Sequence, residues 1–216
     1  MKLSMLAVAA ACFGACSSTS PMPSSTLAVT TGDAGLQPGA GLDGGTAIEG
    51  NLNGRPFSSD AALAVVPSGV APEGESVVII ESASNFPLSC ASLKAEASTG
   101  TANAYANGTS VQILISSSTA GVTAGSYVVG GADASGPTGS TVGATFLAND
   151  SNCMLSASET AISGTVTIDF ASTAMIGGSF SLIFGDGDGL SGNFLAPLCQ
   201  VSPFPGVRPT AETCVH

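Results

Sequence analysis

From residue 46 onward, apolar and polar positions alternate with a period of two, broken at short intervals by Gly, Pro, Asn and Asp. Successive side chains of a strand point to opposite faces, so this pattern marks strands with one buried side. The clearest case lies in the last third of the chain. Ile162, Gly164, Val166, Ile168 and Phe170 alternate with Ser163, Thr165, Thr167 and Asp169. Phe180, Leu182 and Phe184 then alternate with Ser179, Ser181 and Ile183, and Leu190, Gly192, Phe194, Ala196 and Leu198 with Ser191, Asn193 and Leu195. The connections, Ser172-Thr173-Ala174 and Gly185-Asp186-Gly187-Asp188-Gly189, suit antiparallel hairpins and are too short for the helical crossovers of a parallel sheet.

Weaker runs at 47–52, 61–66, 76–81, 111–116, 126–130, 142–148 and 153–157 predict the earlier strands, the first of them leading into an Asn53-Gly54 turn. Val77-Val78-Ile79-Ile80 is apolar on both faces, as in a central or covered strand. The only helical stretch falls within 87–104 and predicts one or two turns near 88–96, with Leu88, Ala91 and Ala95 inward and Lys94 and Glu96 in water. Three hairpin-linked strands must bury their apolar faces against the earlier ones. The expectation is an all-β domain, an antiparallel two-sheet sandwich of about eight to nine strands, with a small β-barrel as the alternative.

The N-terminal pattern differs. Met1-Lys2 precedes an apolar run over 3–15, about 13 residues where a membrane span needs roughly 20, so the run reads as a signal peptide. Residues 16–45 are rich in Ser, Pro and Gly and poor in large apolar side chains, as expected of a flexible tether. The β domain is expected over 46–199 and a Pro-rich tail, pinned by a disulfide, over 200–216.

Phe13-Gly14-Ala15-Cys16 resembles the lipobox of bacterial lipoprotein precursors, with Phe13 where the family usually has Leu. The resemblance implies cleavage before Cys16, acylation of its thiol and anchorage in a lipid bilayer. Ser17-Ser18, without an Asp, resembles the pattern that sorts such proteins to the outer membrane. An outer-membrane or cell-surface location is implied, with a periplasmic or secreted protein as the alternative. The whole chain is also similar to the Gly/Ser/Thr-rich lipoproteins of predatory and gliding soil bacteria.

Ala9-Ala10-Ala11-Cys12 is a rival box, and cysteine arithmetic separates the two. Cleavage before Cys16 leaves Cys90, Cys153, Cys199 and Cys214, an even set for an oxidising compartment, whereas cleavage before Cys12 strands a fifth thiol. Four cysteines allow three pairings. Cys90–Cys153 and Cys199–Cys214 are favoured by position, the second closing a loop of about 15 residues worth about 3 kcal/mol on the chain-entropy model.

Composition restricts the chemistry. Only 4 Lys+Arg oppose 15 Asp+Glu, for a net charge of −11 and a pI near 4.1, which argues against nucleic acid or an anionic membrane bound through a basic patch. The lone histidine is His216, the last residue of the sequence, so Ser-His-acid and Cys-His catalysis and most zinc or copper sites are poorly served. Glu73 with Glu75 and Asp186 with Asp188 form carboxylate pairs on predicted loops, where solvent disfavours the raised pKa of a general acid. With no Trp and only Tyr105 and Tyr127 for sugar stacking, a secreted hydrolase is the last alternative.

Asp186 and Asp188 are candidates for weak calcium binding if a third acid, Asp150 or Asp169, arrives through the fold; a plain hairpin turn is the simpler reading. Arg55 and Lys94 are the only positive side chains between Lys2 and Arg208, and each suits a structural ion pair better than a ligand site. The sequence thus predicts no enzyme. It predicts a lipid-anchored exported protein with a structural, adhesive or protein-interaction role, contacting an envelope protein or surface polymer. A carbohydrate- or calcium-dependent binding module is the first alternative.

Overall fold

The computed structural model describes residues 45–67, 76–99, 101–117, 121–130, 136–185, 187–201 and 211–216. Their elements are β1 (Ala47–Leu52), β2 (Arg55–Ser59), β3 (Ala62–Pro67), β4 (Ser76–Ser84), α1 (Cys90–Thr99), β5 (Thr101–Tyr105), β6 (Thr109–Ser117), β7 (Gly125–Val129), β8 (Thr141–Asn149), β9 (Leu155–Thr160), β10 (Ser163–Ala171), β11 (Met175–Ile183), β12 (Gly189–Val201) and β13 (Ala211–Val215). The expected signal peptide, Cys16 and all of the expected tether but Gly45 lie outside these residues. Within the tail, residues 211–215 form β13.

The described residues form an all-β domain with one short α-helix. Eleven strands form one sheet in the order β7-β10-β11-β12-β3-β4-β6-β8-β9, with β1 added to β12 and β2 to β1. The sheet curls through 242° and stays open. The two remaining strands, β5 and β13, form a separate parallel pair. An eight- or nine-strand, two-sheet arrangement was the expectation. The difference arises at β12, which spans 13 residues and changes partners. Up to Pro197 it pairs with β11, and from Leu198 to Val201 it runs parallel to β3. Proline has no N–H to donate, so the first ladder ends where the second begins. One continuous strand therefore joins what would otherwise be two sheets.

The hairpins follow the sequence pattern. Asn53 and Gly54 both take positive φ, 54° and 68°, as a type I′ turn between β1 and β2 requires. The meander β10-β11-β12 is antiparallel throughout. At the β10 bulge after Ile168, the Phe170 ring lies over Gly177, in space that a Cβ at Gly177 would take. Inside the curl, Ile48, Leu52, Ile113, Ile115, Tyr127, Phe146, Ile168, Leu182, Phe184, Leu190 and Phe194 are fully buried. Tyr127 satisfies its hydroxyl locally, donating to the Thr123 carbonyl at 2.6 Å and accepting from the Thr123 N–H at 3.2 Å.

A second, smaller apolar cluster lies outside the curl. Leu63, Val65, Cys199 and Val201 face α1 there, with Ile79, Leu88, Cys90, Leu93 and Ala97 packed against them. This explains the doubly apolar run of β4, since Val78 and Ile80 face the interior and Ile79 the cluster under the helix. Ser89 caps α1, its Oγ accepting from the Ser92 N–H at 3.1 Å. The packed face is Cys90, Leu93 and Ala97, with Leu88 inward and Lys94 in water as expected; Ala91 and Ala95 are exposed and Glu96 is half-buried, contrary to expectation. The apolar stripe follows the only large aliphatic residue of the helix, Leu93, and the anchored Cys90.

Candidate functional site

The bridges are Cys90–Cys199 and Cys153–Cys214, with Cα–Cα separations of 5.5 and 5.6 Å. All four candidate cysteines are used, but the favoured pairing is corrected. Cys90 starts α1, and the helix lies on the end of β12, so Cys199 meets it. Cys153 is not in a strand, as the pattern suggested. It occupies a turn at φ 62°, where its sulfur meets β13. The turn is built by Asp150, whose carboxylate accepts from the Met154 N–H at 2.9 Å and the Asn152 N–H at 2.8 Å, while Cys153 N–H donates to the Asp150 carbonyl at 3.1 Å. Those backbone N–H donors, Met154 first, hold the Asp150 carboxyl below the ordinary aspartate range.

Of the acids proposed for calcium, Asp188 and Asp150 have separate structural tasks, and Asp169 is exposed on β10. Asp188 Oδ2 accepts from the Gly54 N–H at 3.2 Å, tying the β11–β12 loop to the β1–β2 turn. Asp150 is committed to its own turn. Asp186, Glu73, Glu75 and Arg208 lie outside the described residues. Among the described residues, no group of three or more His, Cys, Asp or Glu side chains is placed to hold a metal ion. Arg55 and Lys94 are exposed. No described helix is long and apolar enough to cross a membrane.

Three arrangements were not anticipated. The first is a pair of carboxyl groups, Glu81 on β4 and Glu96 on α1. Burial pushes the Glu81 carboxyl up, opposed by the Gln112 amide at 3.5 Å and reinforced by the negative charge of Glu96. Burial likewise raises Glu96, against a 3.0 Å hydrogen bond from Asn103 Nδ2. Glu81 was hidden in the sequence because it continues an apolar strand; only its pairing with Gln112 on β6 shows its setting.

The second is an open groove of about 440 Å³ between the β2–β3 turn and the β4–α1 link, lined by Ser58, Asp60, Ser84, Asn85, Phe86 and Leu88 among others. Its floor is braced by Ser82 and Ser59, whose hydroxyls both donate to the Ala61 carbonyl, at 2.7 and 3.0 Å. Phe86 is fixed by stacking on Tyr105 with centroids 4.7 Å apart, and Asn85 takes φ 71°. Its lining thus offers a carboxylate, an amide, hydroxyls and an aromatic ring.

The third places the lone imidazole beside a sulfur, with His216 Nε2 3.6 Å from Cys214 Sγ. The sequence spacing Cys-x-His carries this contact, but it gains meaning only once β13 is held in place by β5 and Cys153.

No family model matches the chain, and neither a curated protein nor a solved structure is similar to it.

Proposed function

We propose that the chain is the precursor of an exported lipoprotein, cleaved before Cys16 and acylated there, whose disulfide-bonded β domain makes non-catalytic contacts in the cell envelope. One observation carries this reading. The two bridges consume Cys90, Cys153, Cys199 and Cys214, so Cys16 is left without a partner within the domain once the leader is cut before it. Structural cystines belong to oxidising compartments, and an unpaired thiol following Gly14-Ala15 is the substrate of lipid transfer. The test is expression in a Gram-negative host fed radiolabelled palmitate, with mass spectrometry of the mature N-terminus. Label in the wild type that disappears in Cys16→Ala supports the proposal. An intact Met1, or an unacylated terminus beyond residue 16, overturns it.

The groove favours a second reading, a module that contacts a neutral surface polysaccharide through Asp60 and Asn85 with Phe86 at the wall. Calorimetric titration with maltohexaose and with chitohexaose tests it. Heat that is lost in Asp60→Ala and Asn85→Ala supports this reading, and no heat with either sugar removes it.

A further inference from the structure

Each bridge joins a buried cysteine to a more open one, and the open ends differ: Cys90 is half-buried at the start of α1, whereas Cys214 is exposed. Cys199 is 0% exposed, enclosed by Leu63, Val65 and Val201. Cys214 is exposed on β13, its partner Cys153 is buried, and the only imidazole of the chain lies 3.6 Å from the Cys214 sulfur. Thiol–disulfide exchange is favoured by an exposed cysteine and a neighbouring group that favours the thiolate. Both are present at Cys214; the enclosed Cys199 offers neither.

We propose that Cys153–Cys214 is a thiol–disulfide exchange site, taking thiols or dithiols as substrate, with His216 as the group that accepts the incoming thiol's proton. A thiol approaches Cys214 Sγ and His216 Nε2 takes its proton. The thiolate electron pair forms the new S–S bond to Cys214, the Cys153–Cys214 bond breaks, and its electrons leave on Cys153 Sγ. That sulfur takes a proton from water, and the imidazolium returns its own. As a thiol, Cys153 has an acceptor waiting, the Ala104 carbonyl at 3.1 Å. A second thiol attacks the substrate sulfur of the mixed disulfide, the Cys214–sulfur bond breaks, and the second thiol's proton passes to the released Cys214 thiolate. In sum, two thiols are oxidised to one disulfide while the bridge is reduced to two cysteines.

Reoxidation is prepared by the same geometry. The turn that presents Cys153 is held by Asp150 through hydrogen bonds that involve no sulfur, so Cys153 keeps its place after reduction. β13 then depends on its parallel pairing with β5 and on the 2.9 Å bond from Ala106 N–H to the Val215 carbonyl. Two short strands alone are marginal in water. Reduction therefore frees residues 211–216 and uncovers one edge of β5, which makes exchange a switch on this outer layer.

The experiment uses the oxidised full chain, pulsed with dithiothreitol, quenched with N-ethylmaleimide and mapped by peptide mass. Cys153 and Cys214 are expected to become alkylated about tenfold faster than Cys90 and Cys199. His216→Ala should slow opening of Cys153–Cys214 by about threefold or more and flatten its pH profile, leaving the Cys90–Cys199 rate unchanged. Equal rates for the two bridges, or an unchanged rate in His216→Ala, would overturn the proposal. A second readout is the Cys153→Ser variant, in which Cys214 is expected to form a mixed disulfide with glutathione disulfide, and to do so more slowly without His216. Absence of that adduct also defeats the assignment. Neither result depends on whether Cys16 is acylated.

Discussion

The interior of the curled sheet and the layer outside it are held by different means. Inside, Phe146, Phe184, Phe194 and Tyr127 are fully buried among aliphatic residues contributed by both arms of the sheet. Outside, α1 has no fully buried residue, and among the described residues only Leu63, Val65, Cys199 and Val201 are buried beneath it. A ten-residue helix with so little apolar contact is marginal on its own. A covalent bridge at its first residue supplies what packing lacks, and a second bridge does the same for β13. Where the sequence is too poor in large side chains to build a second core, it uses cysteine.

The largest effect that would break this comparison is a cavity. Phe146→Ala or Phe194→Ala should cost about 3–5 kcal/mol in urea unfolding, because the curl is closely packed around both rings. Leu93→Ala, at the centre of the outer contact, should cost about 1 kcal/mol. Similar costs at the two places would mean that the outer layer is a true second core.

The bridges sharpen the point. Their sequence separations are 109 and 61, for which the chain-entropy model gives about 4.8 and about 4.3 kcal/mol, nearly equal. Surroundings should separate them. Removing Cys90 and Cys199 together is expected to cost about 2–5 kcal/mol, since it unpins the helix and leaves a void among Leu63, Val65 and Val201. Removing Cys153 and Cys214 should cost about 1 kcal/mol in the main transition, because β13 can detach while the large sheet persists. Hydrogen exchange should then show the β5 amides losing protection before those of β11. Equal losses of stability would show that the outer pair unfolds only with the rest.

The same contrast governs what could be read from the sequence. The meander and the Asn53-Gly54 hairpin were legible because alternation and turn chemistry are local. Strands β5 and β13 were not. Thr-Ala-Asn-Ala-Tyr and Ala-Glu-Thr-Cys-Val carry little alternation, and they pair in parallel across a separation that no local signal spans. The curl was hidden for a related reason: period two reveals which face of β12 is apolar, not that its two ends bond to different neighbours. The cysteine pairing followed from where α1 and β13 pack, and neither position is written in spacing. The acids at 186 and 188 were conspicuous by motif, while Glu81, half-buried within an apolar strand, gave no sign of its setting.

Glu81 allows a smaller test. Its carboxyl is raised above 4.5 by burial first, so the folded state holds that proton more tightly than the unfolded chain. The stabilising contribution is therefore complete below about pH 4.5 and is lost as pH rises through the folded value. Glu81→Gln removes this dependence while keeping an amide opposite Gln112. The variant should match the wild type at pH 4 and melt a few degrees higher at pH 7, as followed by circular dichroism. The same gain at both pH values would mean that packing, not charge, is responsible.

The smallest effect concerns Asp188, which links the two hairpin turns at the rim of the sheet. Its carboxylate oxygen lies 3.2 Å from the Gly54 N–H, a charged acceptor on an exposed backbone donor. Such a bond competes with water, so Asp188→Ala should cost about 0.5–1 kcal/mol, with Asp188→Asn recovering part of it because an amide oxygen still accepts. Millimolar calcium separates this tether from an ion site. If the carboxylate serves only the turn, calcium leaves the melting temperature of both wild type and Asp188→Ala unchanged. If it also binds the ion, calcium raises the wild-type value and not the variant's. A loss well above 1 kcal/mol without calcium would place this rim contact with the interior rather than with the lightly held outer surface.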